Sequence, residues 1–317
     1  MNILVTGVAG FIGSHVAEAL LARGDTVIGL DNFNDYYDPA RKRANVALLS
    51  PNPRFSLREA DVRNTEGINH ICAESKFDAI VHLAAMVGVR YSIERGPTYA
   101  DVNVHGTVNM LEAARKADIP HFVFASTSSV YGRTGLLPFR EDDPLGHPLA
   151  PYPATKIAGE VMGHAYNNLF GLSFTALRLF SVYGPRGRPD MMPYHITDSI
   201  VHDREFALYE GGNMYRDLTF IDDVVRGVLK AVDQPQGYMV INIGRGEPIR
   251  MVDFVRLVEE IVGKPAWTSS PSAPASEPPI TYADIAKARD ILDYVATTSV
   301  AEGMQQFWEW YQIDILG

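Results

Sequence analysis

Two short segments of the 317-residue chain carry residue types suited to removing a proton from an alcohol: Thr127-Ser128-Ser129 and Tyr152-Pro-Ala-Thr-Lys156. The first offers a clamp of hydroxyls. The second sets a phenol and an ammonium at i and i+4, on one face of a helix, where the positive charge lowers the phenol's pKa from its free value of about 10. Acting as a base near neutral pH requires a fall of roughly three units, or about 4 kcal/mol at about 1.4 kcal/mol per unit. Tyr-x-x-x-Lys also arises on solvated helix faces with no chemistry behind it. The pair gains meaning only from what else the chain supplies.

The elements that must position these groups begin at the N-terminus. Residues 2–6 read as a short apolar strand, Gly7-Val-Ala-Gly10-Phe11-Ile12-Gly13 as a glycine turn, and the residues to about Ala22 as a helix. Strand, glycine turn and helix in that order form a dinucleotide site. Gly7 permits the tight turn, Gly10 lets the backbone approach a pyrophosphate and Gly13 allows close packing of helix on strand. The helix N-terminus, where Phe11 and Ile12 stand, supplies amides and positive partial charge. The next strand ends at Asp31, whose carboxylate accepts hydrogen bonds from both adenosine ribose hydroxyls and repels a 2′-phosphate. The cofactor expected is therefore NAD, with Asn32 and Lys42 placed against it. Arg41-Lys42-Arg43 keeps NADP open, because such a cluster is able to hold the phosphate. A nicotinamide cation beside Tyr152 would share with Lys156 the lowering of the phenol's pKa.

Length suits one large domain or two, and 46% hydrophobic residues are enough to fill a core. No window forms the long uncharged apolar stretch of a membrane span. The first apolar run is a strand followed at once by glycines, so no signal peptide is expected. Cys72, the lone cysteine, excludes an internal disulfide and fits a cytoplasmic protein. A net charge of −10 argues against nucleic-acid or anionic-membrane partners. The nine histidines show no metal-site spacing, so no metal is expected. Strand-like runs at 55–57, 79–83, 122–125 and 174–177 alternate with helical stretches near 64–75, 98–117 and 152–170. That alternation predicts an α/β fold with a doubly wound parallel sheet. Only a Pro/Ser-rich loop at 270–279 departs from ordinary complexity.

Gly7 to Gly13, Asp61-Val62, His82-Leu83-Ala84-Ala85, Asn103, the Ser/Thr triplet, Tyr152 with Lys156, and Leu177-Arg-Leu-Phe180-Ser181-Val-Tyr-Gly-Pro185 together resemble the extended short-chain dehydrogenase/reductases over nearly the whole chain. Within that group four segments look most like the nucleotide-sugar 4-epimerases acting on UDP-glucuronate. They are Asp31-Asn-Phe-Asn-Asp-Tyr-Tyr-Asp38, Gly88-Val-Arg-Tyr-Ser92, Gly184-Pro-Arg-Gly-Arg-Pro-Asp190 and Met214-Tyr-Arg-Asp-Leu-Thr-Phe-Ile-Asp-Asp223. The resemblance implies a Rossmann domain over 1–180 that also receives about 216–235 and 246–259. It implies a smaller UDP-sugar lobe, mainly within 181–317 and assembled from about 180–215, 236–245 and 260–283, and a homodimer through the helices near 98–117 and 152–170. It places Asp61 and Val62 at adenine, and Leu83, Ala84, Ala85, Asn103, Ser126 and Phe180 around the cofactor. His82 becomes a structural wall beside the cofactor, and Lys156 also holds the nicotinamide ribose. Thr127 falls on the reacting oxygen, with Val87, Ser128, Ser129 and Ser181 at the sugar, Arg216 at the diphosphate, and Arg90 near the diphosphate or the cofactor. Thr281 stands where hexose epimerases limit the size of an N-acyl group, and a small residue there does not exclude N-acetylated sugars.

The chemistry so implied is oxidation and return. The Tyr152 phenolate takes the proton of the sugar's 4-hydroxyl as the hydride on that carbon passes to NAD, and the ketose turns over to receive the hydride on its other face. Related 4,6-dehydratases carry Asp-Glu, and decarboxylases a Glu, before the Val-Tyr-Gly that here is Val130-Tyr131-Gly132; this chain has Ser128-Ser129. A uronate oxidised at carbon 4 is a β-keto acid that sheds carbon dioxide unless its carboxylate is gripped. Arg188 is the candidate, through two parallel hydrogen bonds. A second phosphate-binding arginine found in hexose epimerases is missing from 274–281, and Ser276-Glu277 replaces the usual Gly-Asp. Three readings stand: a UDP-glucuronate 4-epimerase, a UDP-glucose/UDP-galactose or other nucleotide-sugar epimerase, and a catalytically silent NAD-binding sensor. Intact Thr127, Tyr152 and Lys156 speak against the last.

Overall fold

The computed structural model describes residues 1–317. Its main sheet has seven parallel strands in the order Tyr238–Ile243, β6 (Ser173–Leu179), β5 (His121–Thr127), β4 (Ala79–His82), β1 (Asn2–Thr6), β2 (Thr26–Asp31), β3 (Phe55–Glu59). The doubly wound parallel sheet expected from the alternation of elements is present. Neighbouring residues of a strand face opposite sides, so Ile3, Val5, Val27 and Val123 enter one core and Leu4, Ile28, Phe122 and Phe124 the other. With both faces covered, the strands read as continuous apolar runs.

Helices α1 (Phe11–Arg23), α2 (Pro39–Leu49), α3 (Thr65–Glu74), α4 (Val89–Glu94), α5 (Gly96–Tyr99), α6 (Gly106–Lys116) and α7 (Pro151–Phe170) connect the strands. The sequence reading missed α2, although its start was legible: the Asp38 carboxylate accepts from the Ala40 N–H at 2.9 Å, and Pro39 occupies the first helical position. Gly159 and Gly163 bring α7 close to the sheet. A Cβ on either would fall 2.5 or 2.3 Å from the ring of Phe124 or Phe174. No helix is long and apolar enough to cross a membrane.

Strand order reverses beside β1, which has β2 on one side and β4 on the other. The crevice at the strands' C-terminal ends there is where ligands of such sheets bind. A smaller lobe closes over it. It holds the helices Met192–Val201 and Met251–Val262, a three-stranded sheet (Ile249–Arg250, Tyr215–Arg216, Ile280–Thr281) and a pair, Thr268–Ser269 with Phe206–Ala207. The core under the main sheet runs without a break into this lobe, from Leu20, Val224 and Val228 to Ile200, Phe254 and Phe307.

Two segments sit opposite to their expected places. The 236–245 region, expected in the smaller lobe, supplies the edge strand Tyr238–Ile243, which pairs with β6 over its full length. The 246–259 region, expected in the larger domain, supplies the strand Ile249–Arg250 and the helix Met251–Val262, which pack against Tyr215–Arg216 and Met192–Val201. Nothing local marks which sheet an apolar strand joins. The helix Ile221–Asp233 does pack on α1.

The turn between β1 and α1 shows why its glycines are obligatory. Gly7 has φ +70°, in the left-handed region, and a Cβ on Gly13 would lie 2.0 Å from the Gly7 carbonyl oxygen. Gly13→Ala therefore forces the turn apart. We expect a loss of about 3 kcal/mol or more, the upper range for overpacking, and weakened NAD binding; denaturant midpoints and calorimetric titration check both.

Candidate active site

One cavity of about 1010 Å³ opens where the glycine turn, the ends of β4 to β6 and the smaller lobe meet. Its cofactor side is walled by Gly7, Gly10, Phe11, Ile12, Gly13, Asp31, Asn32, Lys42, Val62, Leu83, Ala84 and Ala85. Ser126, Thr127, Ser128, Ser129, Tyr152, Lys156, Phe180, Ser181, Val87, Arg90, Arg188, Arg216 and Thr281 line it further round. Most residues singled out from the sequence thus share one space.

The cofactor wall fits a dinucleotide. Gly10 faces the cavity, and a Cβ there would meet only the Gly7 carbonyl at 3.2 Å. The Asp31 carboxylate is fixed by the amides of Phe33 and Ala9, at 2.9 and 3.1 Å. Of the three cations that kept a 2′-phosphate in play, only Lys42 reaches the cavity, and its ammonium is donated to Asn34 O and Oδ1 at 2.7 and 2.9 Å. Arg43 forks onto Glu59 and Arg41 lies over the Tyr194 ring. NAD suits this wall better than NADP.

Two expected cofactor contacts do not reach it. Asn103 is buried behind the wall, its amide spent on Met86 N (2.7 Å), Met86 O (2.9 Å) and Thr155 (3.0 Å). It positions the chain after β4 and does not touch the cavity. Asp61 is likewise diverted: Arg63, two residues on, donates Nε and Nη2 at 2.9 and 2.8 Å, and Asn32 donates at 2.8 Å, holding its pKa down at about 2. Ser126 lines the cavity, but its hydroxyl is donated to Glu160 behind it.

His82 also stands behind the wall. Thr107 gives its hydroxyl proton to the Asn103 carbonyl (2.6 Å), so it accepts from His82 Nε2, at 3.2 Å, and Nδ1 accepts from Thr6 at 2.8 Å. Burial first, and the Lys156 charge second, push this histidine down to about 3; His15 falls to about 3 through burial and Arg186. Both are neutral when folded and charge on unfolding in acid. Their contribution is fully present above the unfolded pKa near 6.5 and is lost as pH falls from there toward 3, at about 1.4 kcal/mol per pH unit each. His82→Gln is expected to flatten the pH dependence of unfolding between pH 6 and 5 by one such unit of slope, measured by denaturant titration.

The reacting groups come from two elements. Tyr152 and Lys156 share the first turns of α7, and Thr127 ends β5. Thr127 caps the short helical turn after it, accepting from Ser129 N and donating to Ser129 Oγ, both at 3.2 Å. Lys156 donates to the Ala125 carbonyl at 2.8 Å. The expected fall in the phenol's pKa is not produced by these groups alone. Burial raises Tyr152, with the Arg188 charge and Thr127 opposing, and lowers Lys156 to about 7, with Glu160 opposing. Burial disfavours both charged forms, and a cationic ring bound beside the phenol would supply the missing stabilisation.

Arg188 is held differently from expectation. Its fork is taken by Asp190, through Nε at 2.9 Å and Nη2 at 2.8 Å, so it offers a ligand its Nη1 donors and not two parallel bonds. Arg216 and Arg90 meet on Glu277, at 3.0 Å each. Arg90, from α4, thus stands beside Arg216. Tyr36 and Asp190 also line the cavity and were not singled out from the sequence; both lie in segments that carried the resemblance, the only signal there was.

Comparison with known proteins places this geometry. The profile of the NAD dependent epimerase/dehydratase family matches residues 3–244. UDP-glucuronate 4-epimerase 4 of Arabidopsis thaliana is 41% identical, over 98% of this chain and 75% of that protein. The crystal structure of UDP-glucuronic acid 4-epimerase from Bacillus cereus in complex with UDP-glucuronic acid and NAD is 36% identical with a TM-score of 0.92, over 98% of this chain and 99% of that one. UDP-glucose 4-epimerase with UDP-glucose from Thermotoga maritima is 29% identical with a TM-score of 0.89, over 98% and 99%. A profile match across three quarters of the sequence, joined to a shared fold, settles the membership: the chain belongs to the NAD dependent epimerase/dehydratase family.

Proposed function

We propose that this protein interconverts UDP-glucuronate and UDP-galacturonate by epimerisation at carbon 4, with the carboxylate retained. The observation that carries the reading is the meeting of Tyr152, Thr127 and Arg188 in a cavity whose other end fits NAD. Bound there, NAD would supply the acceptor and donor for the hydride of carbon 4. Everything else falls to the chain. Thr127 hydrogen-bonds the 4-oxygen, and Tyr152 takes its proton and later gives it back. Lys156, whose charge Glu160 favours against the lowering by burial, stabilises the phenolate. Arg90 and Arg216 hold the diphosphate in exchange for Glu277, and Arg188 faces the carboxylate. Ser128 and Ser129 provide no carboxylate for elimination, so the ketose is only reduced again.

A neutral hexose is the competing substrate, because Asp190 already neutralises Arg188. Proton NMR of the anomeric region separates the two. UDP-glucuronate giving UDP-galacturonate, without UDP-xylose or net reduced cofactor, supports the proposal. Interconversion of UDP-glucose and UDP-galactose with UDP-glucuronate left untouched contradicts it. The working unit is a homodimer through α6 and α7, a reading supported by Val161, Leu169 and Phe170, which stand 62, 67 and 51% exposed on α7.

A further inference from the structure

Three segments far apart in the chain converge on one side of the cavity. The loop after β2 brings Tyr36, the chain after β4 brings Gly88 and Tyr91, and the loop before the helix Met192–Val201 brings Arg188 and Asp190. Arg188 forks onto Asp190, and the Tyr36 hydroxyl donates to Asp190 Oδ2 at 2.9 Å. The guanidinium lies over the Tyr36 ring, 5.8 Å from its centre. A pair two residues apart in a Gly/Pro loop is ordinarily no more than a local ion pair. This one is fixed from 154 residues away by Tyr36, and the Arg188 side chain is only 18% exposed. Gly88 makes that contact possible. Its φ is +89°, and a Cβ there would fall 2.3 Å from the Tyr36 hydroxyl. Tyr91 packs edge-on against Tyr36 at 4.8 Å, then Tyr99 and Tyr152 follow at 6.4 and 6.2 Å, so the cluster leads to the reacting phenol.

Arg188 spends Nε and Nη2 on Asp190, with Nη2 also on Met191 Sδ at 3.2 Å, and keeps Nη1 free of protein partners. Its plane is therefore set before any ligand arrives. A 4-keto uronate loses carbon dioxide when its carboxylate stands across the plane of the ketone. The C5–C6 bond then breaks, its electron pair passes into the carbonyl as an enolate, and carbon 5 takes a proton from water. Carbon dioxide and a UDP-4-keto-pentose result, and the cofactor keeps the two electrons already taken from carbon 4. We propose that Asp190 and Tyr36 are positioning residues that fix the plane of Arg188, so that its Nη1 donors hold the substrate carboxylate in an orientation that does not decarboxylate. This rests on the UDP-glucuronate reading above.

The test compares Asp190→Asn and Tyr36→Phe with the unsubstituted full chain, each given NAD and UDP-glucuronate. NMR reads the ratio of UDP-4-keto-pentose to UDP-galacturonate, and kcat and KM are measured alongside. Asp190→Asn keeps the shape and weakens the charge-assisted fork; the ratio is expected to rise by about 10- to 100-fold. Tyr36→Phe removes one hydroxyl and is expected to raise it by about 5-fold, with Arg188 and Asp190 still present. KM for UDP-glucuronate stays level or falls, since the fork is released to the substrate. A lower kcat with an unchanged ratio in both variants would mean that the pair only holds the loop, and overturns the assignment. If the unsubstituted protein forms no UDP-galacturonate, the functional reading fails and this assignment with it; if it does and both variants keep its ratio, only the assignment fails.

Discussion

Tyr152→Phe is expected to lower turnover of UDP-glucuronate by about 10³-fold or more, the upper part of the range for loss of a positioned acid/base, while NAD and UDP-glucuronate still bind. The change deletes one oxygen. The main-chain N–H of Tyr152 still donates to Ser92 Oγ at 3.1 Å, and the ring still meets Tyr99 edge-on at 6.2 Å, so the start of α7 keeps its place. Lys156 still bonds the Ala125 carbonyl. The glycine turn and Asp31, which fit the cofactor, lie on other strands. Rate measurements paired with calorimetric titration of both ligands separate the two effects. Equal loss of binding and turnover would make Tyr152 a wall residue, and near-normal turnover would remove the phenolate from the mechanism.

Arg188→Met is expected to have the next largest effect, a fall of about 10²-fold in UDP-galacturonate formation. Removing one partner of a desolvated charge pair costs about 2–5 kcal/mol, much of it from the charge left behind. Here that charge is Asp190, which would face the uronate carboxylate without a cation between them. Adding Asp190→Asn to the variant should therefore recover part of the binding. Any turnover of UDP-glucose, which carries no carboxylate, should be little affected. kcat/KM for the two sugar nucleotides, measured on the single and double variants, checks the sign and the size. Equal losses on both would show that Arg188 supports the lobe and does not read the carboxylate.

What the sequence made legible was local. Gly7, Gly10 and Gly13 act within one turn, and Tyr152 and Lys156 within one helical turn, so spacing alone told their geometry. The alternation of apolar strands with helices gave the sheet for the same reason. Which partner a polar side chain takes was not legible. Asn103 was placed at the cofactor by the resemblance alone, yet Met86 and Thr155 consume its amide. Asp61 went to Arg63, a competitor only two residues away whose direction spacing did not give. The fork of Arg188 went to Asp190, and the reason the pair is rigid, Tyr36 lodged above Gly88, needs three loops to be brought together. The edge strand Tyr238–Ile243 was placed in the smaller lobe by the resemblance, and nothing local in the hexad says which strand it lies beside. The raised pKa of Tyr152 and the lowered one of Lys156 arise from burial, which only the folded chain reveals.

The central claim is that carbon 4 is oxidised and then reduced by the same two electrons within one cavity. UDP-glucuronate deuterated at carbon 4, incubated in ordinary water with enzyme and NAD, tests it most directly when the product is read by NMR and mass spectrometry. The account predicts UDP-galacturonate that keeps its carboxylate and carries the deuterium at carbon 4, with no hydrogen from water at carbon 4 or carbon 5. Deuterium washed out into water, or solvent hydrogen at either carbon, would contradict it.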